Sequence, residues 1–411
     1  MVPAVHLSPV ASMRRCVALM MLPVGFCSPA SLRGATPAQP DFECDAQPKG
    51  AYEAIELSNS AGTTRATLIR YGATLTHLTF AGGRKGPVDV VLGWGDAREY
   101  CASPQHTYFG ATIGRVANRI GHGSFELEGK EYRTPLNEAG FDTLHGGWKG
   151  FDRRVFDVVA QDGSSVTFQY TSPDGEEGFP GTVTLRVTHA ITEDDEWLIS
   201  YNATTDRDTV LALTNHAYFN LNGNVDNTPT VMEHIMTVPT GDKYVEVDAK
   251  LLPTGAVAPV ADAPALDFRE AKALGRDIDQ GTVTPLGGYD NAWVFSGWSP
   301  EASLKELPVL VEVHTPLTGI GLRMKTTEPS VQIYSGNFLS GTDPATRIPR
   351  KRSQSFGTEP QFYQWRGAFT LEAQHYPDSV RVPQFPSVVL RKGKVYTQQT
   401  SYQLFAHTEG L

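Results

Sequence analysis

The chain has 411 residues, 40% hydrophobic and 19% charged, a composition that excludes disordered and fibrous classes and is large enough for one big β domain or two ordinary ones. Its 45 acidic and 35 basic side chains give a formal net charge of -10, which argues against nucleic acid as a main partner and suits a neutral small molecule.

In chain order, Met13-Arg14-Arg15 and the apolar run 16–27 read as the basic and hydrophobic regions of an export signal, with Ser28-Pro29-Ala30 as a small-residue cleavage site. Residues 1–30 are therefore expected to be a signal peptide on a periplasmic or secreted protein. The alternative is an N-terminal extension of a cytoplasmic one. Residues 31–48, rich in Pro, Ala, Gln and Gly, read as a linker, and 49–411 as a single domain. No later apolar run is long enough to cross a bilayer, so the mature chain is expected to have no membrane segment. Beyond the signal only Cys44 and Cys101 remain; two unrelated thiols are expected, with a single bridge as the alternative.

From Tyr52 onward, short β-branched runs broken by Gly and Asn predict strands at 52–57, 66–69, 74–80, 165–170, 182–188, 197–203, 309–313 and 321–324. Helical periodicity is confined to brief stretches at 96–100 and 267–273. With 39 Gly and 28 Pro to mark turns and no repeat of fixed period, the fold class is all-β, a large antiparallel β-sandwich with few short helices.

Phosphate-loop, serine-hydrolase and zinc-protease signatures are missing. Instead, polar residues sit in Gly- and aromatic-rich turns. The stretch 108–120 has small residues that permit close backbone approach and two arginines; Arg119 can grip hydroxyls, while Arg115 is expected to pair with carboxylates elsewhere. His145 precedes Gly146-Gly147, and His216 lies among Asn215, Tyr218, Phe219 and Asn220 just after the apolar run 210–213. Taken alone, His216 reads as a core histidine with satisfied hydrogen bonds. Asp290 ends a Gly-Gly-Tyr-Asp turn, Gln332 opens Gln-Ile-Tyr-Ser-Gly-Asn-Phe-Leu, and Glu372 sits in Phe-Thr-Leu-Glu-Ala-Gln-His-Tyr-Pro-Asp. A carboxylate inside an apolar strand costs free energy unless it is bonded or functional; the alternative is the exposed face of an edge strand.

In this order, the stretches resemble the aldose 1-epimerase (galactose mutarotase) family. They match its Gly-Arg-x-Ala-Asn-Arg-Ile, Leu-His-Gly-Gly, Thr-Asn-His-x-Tyr-Phe-Asn-Leu, Gly-Tyr-Asp, Gly-Asn-Phe-Leu and Leu-Glu-x-Gln-x-Tyr-Pro-Asp motifs, over roughly residues 50–407. The resemblance implies a large antiparallel sandwich, a metal-free site and an aldohexose substrate whose anomers interconvert; that chemistry requires no cofactor, and the chain is expected to be a monomer or homodimer. It also implies Glu372 as general base and His216 as general acid, with Arg119, His145, Asp290 and Gln332 binding sugar hydroxyls and Asn118 assisting. An apolar surround is expected to raise the pKa of Glu372, and nearby carboxylates to favour a charged His216.

Three departures stand out. Asn291-Ala292-Trp293 replaces the family's His-Asn-Phe after Gly-Tyr-Asp and alters the wall beside Asp290. Residues 347–352, Arg-Ile-Pro-Arg-Lys-Arg, lie in a lengthened connection expected to be a solvated loop, with a basic lid for a phosphorylated sugar as the alternative. Arg366-Gly367-Ala368-Phe369-Thr370 stands where the family tends to have His-Ser-Gly and a cysteine. The rival readings are a non-catalytic carbohydrate-binding protein of this fold and a hexose-6-phosphate 1-epimerase.

Overall fold

A computed structural model describes residues 42–223, 228–280, 287–355 and 358–408. The expected signal peptide lies outside the described residues.

The residues of Val183–Ile191 alternate between buried and accessible, the period of two that a strand with one face on a core requires. This strand is the third of a nine-stranded antiparallel sheet whose order is Asp157–Gln161, Ser165–Ser172, Val183–Ile191, Glu196–Thr205, Tyr396–Ala406, Ile320–Thr326, Val311–His314, Ile235–Thr237, Lys272–Ala273. A six-stranded sheet runs Tyr218–Phe219, Phe369–Gln374, Ser330–Tyr334, Asp290–Val294, Lys243–Val247, Pro253–Pro259, and a four-stranded sheet holds residues 55–89. Leu68 and Leu78, Leu185 and Trp197, and Ile333 and Leu371 come from the three sheets and join one hydrophobic core. Tyr402 of the larger sheet donates its hydroxyl to the Leu371 carbonyl at 2.6 Å, so the layers are also tied by a buried hydrogen bond. The sandwich is thus all-β and antiparallel, as the strand periodicity predicts.

All eight predicted runs fall on strands. Helix is scarcer than predicted. The first stretch holds one turn, Glu99–Ala102, and the second holds the strand Lys272–Ala273. There the ammonium of Lys272 is gripped by the Pro264 and Ala265 carbonyls and by Asp277, while Met236 pairs with it across the sheet; tertiary bonds override the weak helical period.

The expectation of two unrelated thiols is wrong: Cys44 and Cys101 are joined in a disulfide. Both lie in one small apolar cluster with Tyr71, and Phe42 stacks under the Arg153 guanidinium at 3.5 Å. The last residues of the stretch read as a linker are therefore fastened to the domain. The bridge closes 57 residues of sequence, and replacing both cysteines by serine is expected to cost about 2–4 kcal/mol. Thermal unfolding of the double variant tests this, with reducing agent lowering the melting temperature of the wild type alone.

Candidate active site

Every residue of Phe369–Gln374 is buried, so both faces of this strand are covered. Leu371 and Ala373 point into the sandwich core, which leaves Thr370, Glu372 and Gln374 on the opposite face. Antiparallel register then gathers the polar residues. Glu372 lies opposite Gln332, and Gln332 opposite Ala292; Thr370 lies opposite Tyr334, and Tyr334 opposite Asp290. Directly paired residues share a face, so Glu372, Gln332 and Asp290 line one patch of sheet. Strands flank this one on both sides, which removes the exposed-edge reading of Glu372; it is 2% exposed.

The opposite wall comes from loops. His216 joins Thr214–Asn215 to Tyr218–Phe219; its N–H donates to the Ala111 carbonyl and its carbonyl accepts from Gly110, both at 3.0 Å. Its Nε2 stands 3.5 Å from Glu372 Oε1, and Tyr218 and Tyr108 stack on its ring with centroids 4.9 and 5.7 Å away. His145 meets it edge-on at 5.1 Å. Asn118 N–H donates to His145 Nδ1 at 3.2 Å, which leaves the ring proton on Nε2. The turn after His145 needs glycine: Gly146 has φ +88°, and a Cβ there would lie 2.0 Å from the Gly114 carbonyl oxygen.

Arg119 donates to Glu138 at 2.7 Å and to Asn118 Oδ1 at 3.4 Å. Gln332 Nε2 donates to Asp290 Oδ1 at 2.7 Å. Glu372 Oε2, His216 Nδ1 and Gln332 Oε1 are buried with no hydrogen-bond partner among the described residues. Such orphaned groups favour a hydrogen-bonding ligand, and a polyhydroxylated one can satisfy several together. The structure thus brings Glu372, His216, His145, Asp290, Gln332, Arg119 and Asn118 into one neighbourhood.

Burial raises Glu372 to about 8, with the Thr370 hydroxyl pulling the other way, and raises Asp290 against the opposing charge of Arg119. The expectation of a charged His216 is reversed, because burial pushes its pKa down to about 3. His145 is likewise lowered by burial, then by His216 and Arg119. Burial alone would lower Arg119, but Glu138 and Asp290 outweigh it and its pKa rises. Between about 3 and about 8 the Glu372–His216 pair therefore carries one proton, resting on the carboxyl.

Several sequence expectations change. Arg115 is structural, but it binds the Ser172, Pro173 and Pro180 carbonyls and Ser172 Oγ, not carboxylates. Of the departures beside Asp290, only Ala292 shares the site face; Asn291 faces the other way and Trp293 donates to the Leu266 carbonyl in the core. The basic run is solvated only in part, with Arg347 and Arg352 exposed and Ile348 and Lys351 buried. Lys351 is fully buried on Asp89 at 2.7 Å and on the Thr76 carbonyl, Arg347 stacks on Phe362, and Ile348 packs with Phe109, Tyr218 and Tyr334. Sequence reasoning missed Thr370, Glu138 and Tyr108 as contributors; Tyr108 and Thr370 lie inside the polar stretches singled out above, whereas Glu138 left no signal.

Donor atoms of His145, His216 and Glu372 lie within 4.8 Å of one another, a set that is also able to ligate a transition ion.

An antiparallel sandwich that holds a buried carboxyl–imidazole pair among hydrogen-bonding side chains has the groups that acid–base chemistry uses. The aldose 1-epimerase family profile matches residues 53–403. Galactose mutarotase from Rattus norvegicus is 36% identical over 354 residues, 86% of this chain and 94% of the relative, and aldose 1-epimerase from Escherichia coli K12 is 34% identical over 373 residues, 89% and 98%. The crystal structure of the GalM/aldose epimerase homologue from C. elegans superposes with a TM-score of 0.74 at 31% identity, covering 86% of this chain and 99% of that one. The chain belongs to the aldose 1-epimerase family.

Thr370 Oγ1 donates to Glu372 Oε1 at 2.8 Å and favours the ionised carboxylate. Thr370→Val is expected to raise the Glu372 pKa above about 8, and Thr370→Ser to restore it. NMR titration of isotope-labelled glutamate carboxyls checks this.

Proposed function

We propose that Glu372 and His216 interconvert the α and β anomers of a free aldohexose, glucose and galactose being the test substrates. The observation that carries this reading is the 3.5 Å separation of the two buried groups on a face that also bears Gln332 and Asp290. Ring opening needs a proton taken from the C1 hydroxyl and one given to the ring oxygen. Glu372 takes the first and His216 supplies the second, the C1–O5 bond breaks and a C1 aldehyde forms. Rotation about C1–C2 exposes the other carbonyl face, and the same two transfers in reverse close the opposite anomer. Atoms and protons balance, so the pair ends the cycle with the single proton it began with.

The resting proton lies on Glu372, one transfer away from the carboxylate–imidazolium arrangement that starts this cycle. Sugar hydroxyls donating to Glu372 favour that transfer, as does the positive charge of Arg119 nearby. Arg119, His145, Asp290, Gln332 and Asn118 hold the hydroxyls, and fixed orientation adds to the rate.

A sugar receptor does not need two proton-exchanging groups in contact, which disfavours the non-catalytic alternative. The hexose-phosphate alternative is weakened, because Lys351 of the basic run is fully buried on Asp89 and Arg347 stacks on Phe362. Export is supported by the n- and h-regions of residues 13–27 and by the Cys44–Cys101 bridge, a bond that persists in oxidising compartments. Cell fractionation with N-terminal sequencing of the mature chain tests export; full-length protein in the cytoplasm contradicts it.

One acid–base residue contributes about 10²–10⁴-fold. Glu372→Gln and His216→Ala are each expected to lose that much polarimetric mutarotation of galactose while remaining folded. Wild-type rates in both variants would remove the assignment.

A further inference from the structure

The outer face of the nine-stranded sheet carries a second cluster of ligating side chains, far in sequence from the acid–base pair. Register puts Glu312 opposite Arg323 and His314 opposite Gly321, and Gly321 in turn opposite Phe405. Gly321 presents no side chain, and a Cβ there would lie 2.2 Å from the Phe405 ring, so that ring lies across the intervening strand. Arg323 covers the same ring at 4.0 Å. His407 follows the last strand directly and is drawn back over the sheet by its N–H, which donates to the Gly319 carbonyl at 2.7 Å. Its ring stacks on His314 with centroids 3.8 Å apart and planes inclined by 15°. One donor atom from each of Glu312, His314 and His407 then lies within 4.8 Å of the other two.

We propose that Glu312, His314 and His407 form a binding site for a divalent transition ion, with zinc the best chemical fit. Two imidazoles and one carboxylate are a donor set that zinc takes at about 2.0–2.2 Å, whereas magnesium and calcium prefer oxygen alone. Donors around a tetrahedral ion at such bond lengths stand about 3.3 Å apart, so donors within 4.8 Å of one another have to close by as much as about 1.5 Å, and because an imidazole lone pair lies in its ring plane, one of the two stacked rings has to turn out of the stack to share the ion. All three are half-buried, and side chains at that depth keep the rotamer freedom for such a turn. Arg323 donates to Glu312 Oε2 at 2.7 Å, which orients the carboxylate from outside while its other oxygen is able to face the ion. Binding releases any proton held on the ligating imidazole nitrogens and involves no redox step. The ion would fasten the C-terminal end of the longest strand to Val311–His314 across the strand between them.

The test uses tag-free full-length protein carrying Glu372→Gln, which weakens the other His–His–Glu cluster as a competing site. Zinc chloride is titrated in by calorimetry, and thermal unfolding is recorded with and without it. One equivalent binds and raises the melting temperature, and His314→Ala and His407→Gln each weaken binding by about tenfold or more. His407 lies beyond the last strand, so its variant reports even if His314→Ala does not fold. No zinc binding, or binding undiminished by His407→Gln, overturns the site.

Discussion

The structure depends on one constraint, a carboxyl group held in a strand that is buried on both faces. Leu371 and Ala373 fix the strand Phe369–Gln374 on the core, and the pleat then forces Glu372 to the other side. Flanking strands in fixed register bring Gln332 and Asp290 to the same face, so a one-residue slip would send every one of these groups into the core. The aromatic wall of Tyr108, Tyr218 and His145 around His216 excludes water on the other side. Burial alone drives the two proton-exchanging groups toward neutrality, the carboxyl upward and the imidazole downward.

That constraint explains what the sequence makes legible. Strand periodicity reads well because Val183–Ile191 and its neighbours each bury one face. The catalytic candidates read well for a different reason: polar residues interrupt apolar runs, as at His216 and Glu372. What stays hidden depends on distant contacts. Cys44 and Cys101 are brought together only by the packing of Tyr71 and the turn Glu99–Ala102. Glu138 looks like any surface acid until Arg119 reaches it, and the charge state of His216 follows from depth, which no local pattern reports.

The lengthened connection before Glu372 also gains a role. Its cations look solvated in sequence, yet Lys351 is buried against Asp89 and Ile348 packs behind Tyr218 and Tyr334. The insertion supports the aromatic wall from behind. Of the three departures after Asp290, Ala292 alone shares the face of Glu372 and Gln332, lying directly opposite Gln332.

One proton, shared by Glu372 and His216, carries the proposed reaction. The pH profile of kcat/KM for galactose, corrected for spontaneous mutarotation, tests it most directly. Glu372 has a raised pKa, so the pair keeps its proton up to about pH 8 and loses it above. A flat profile is expected through neutral pH, with a fall of about tenfold per pH unit above that value. A rate that keeps rising through pH 9, or one that fails already at pH 6 as an ordinary histidine acid would, contradicts it.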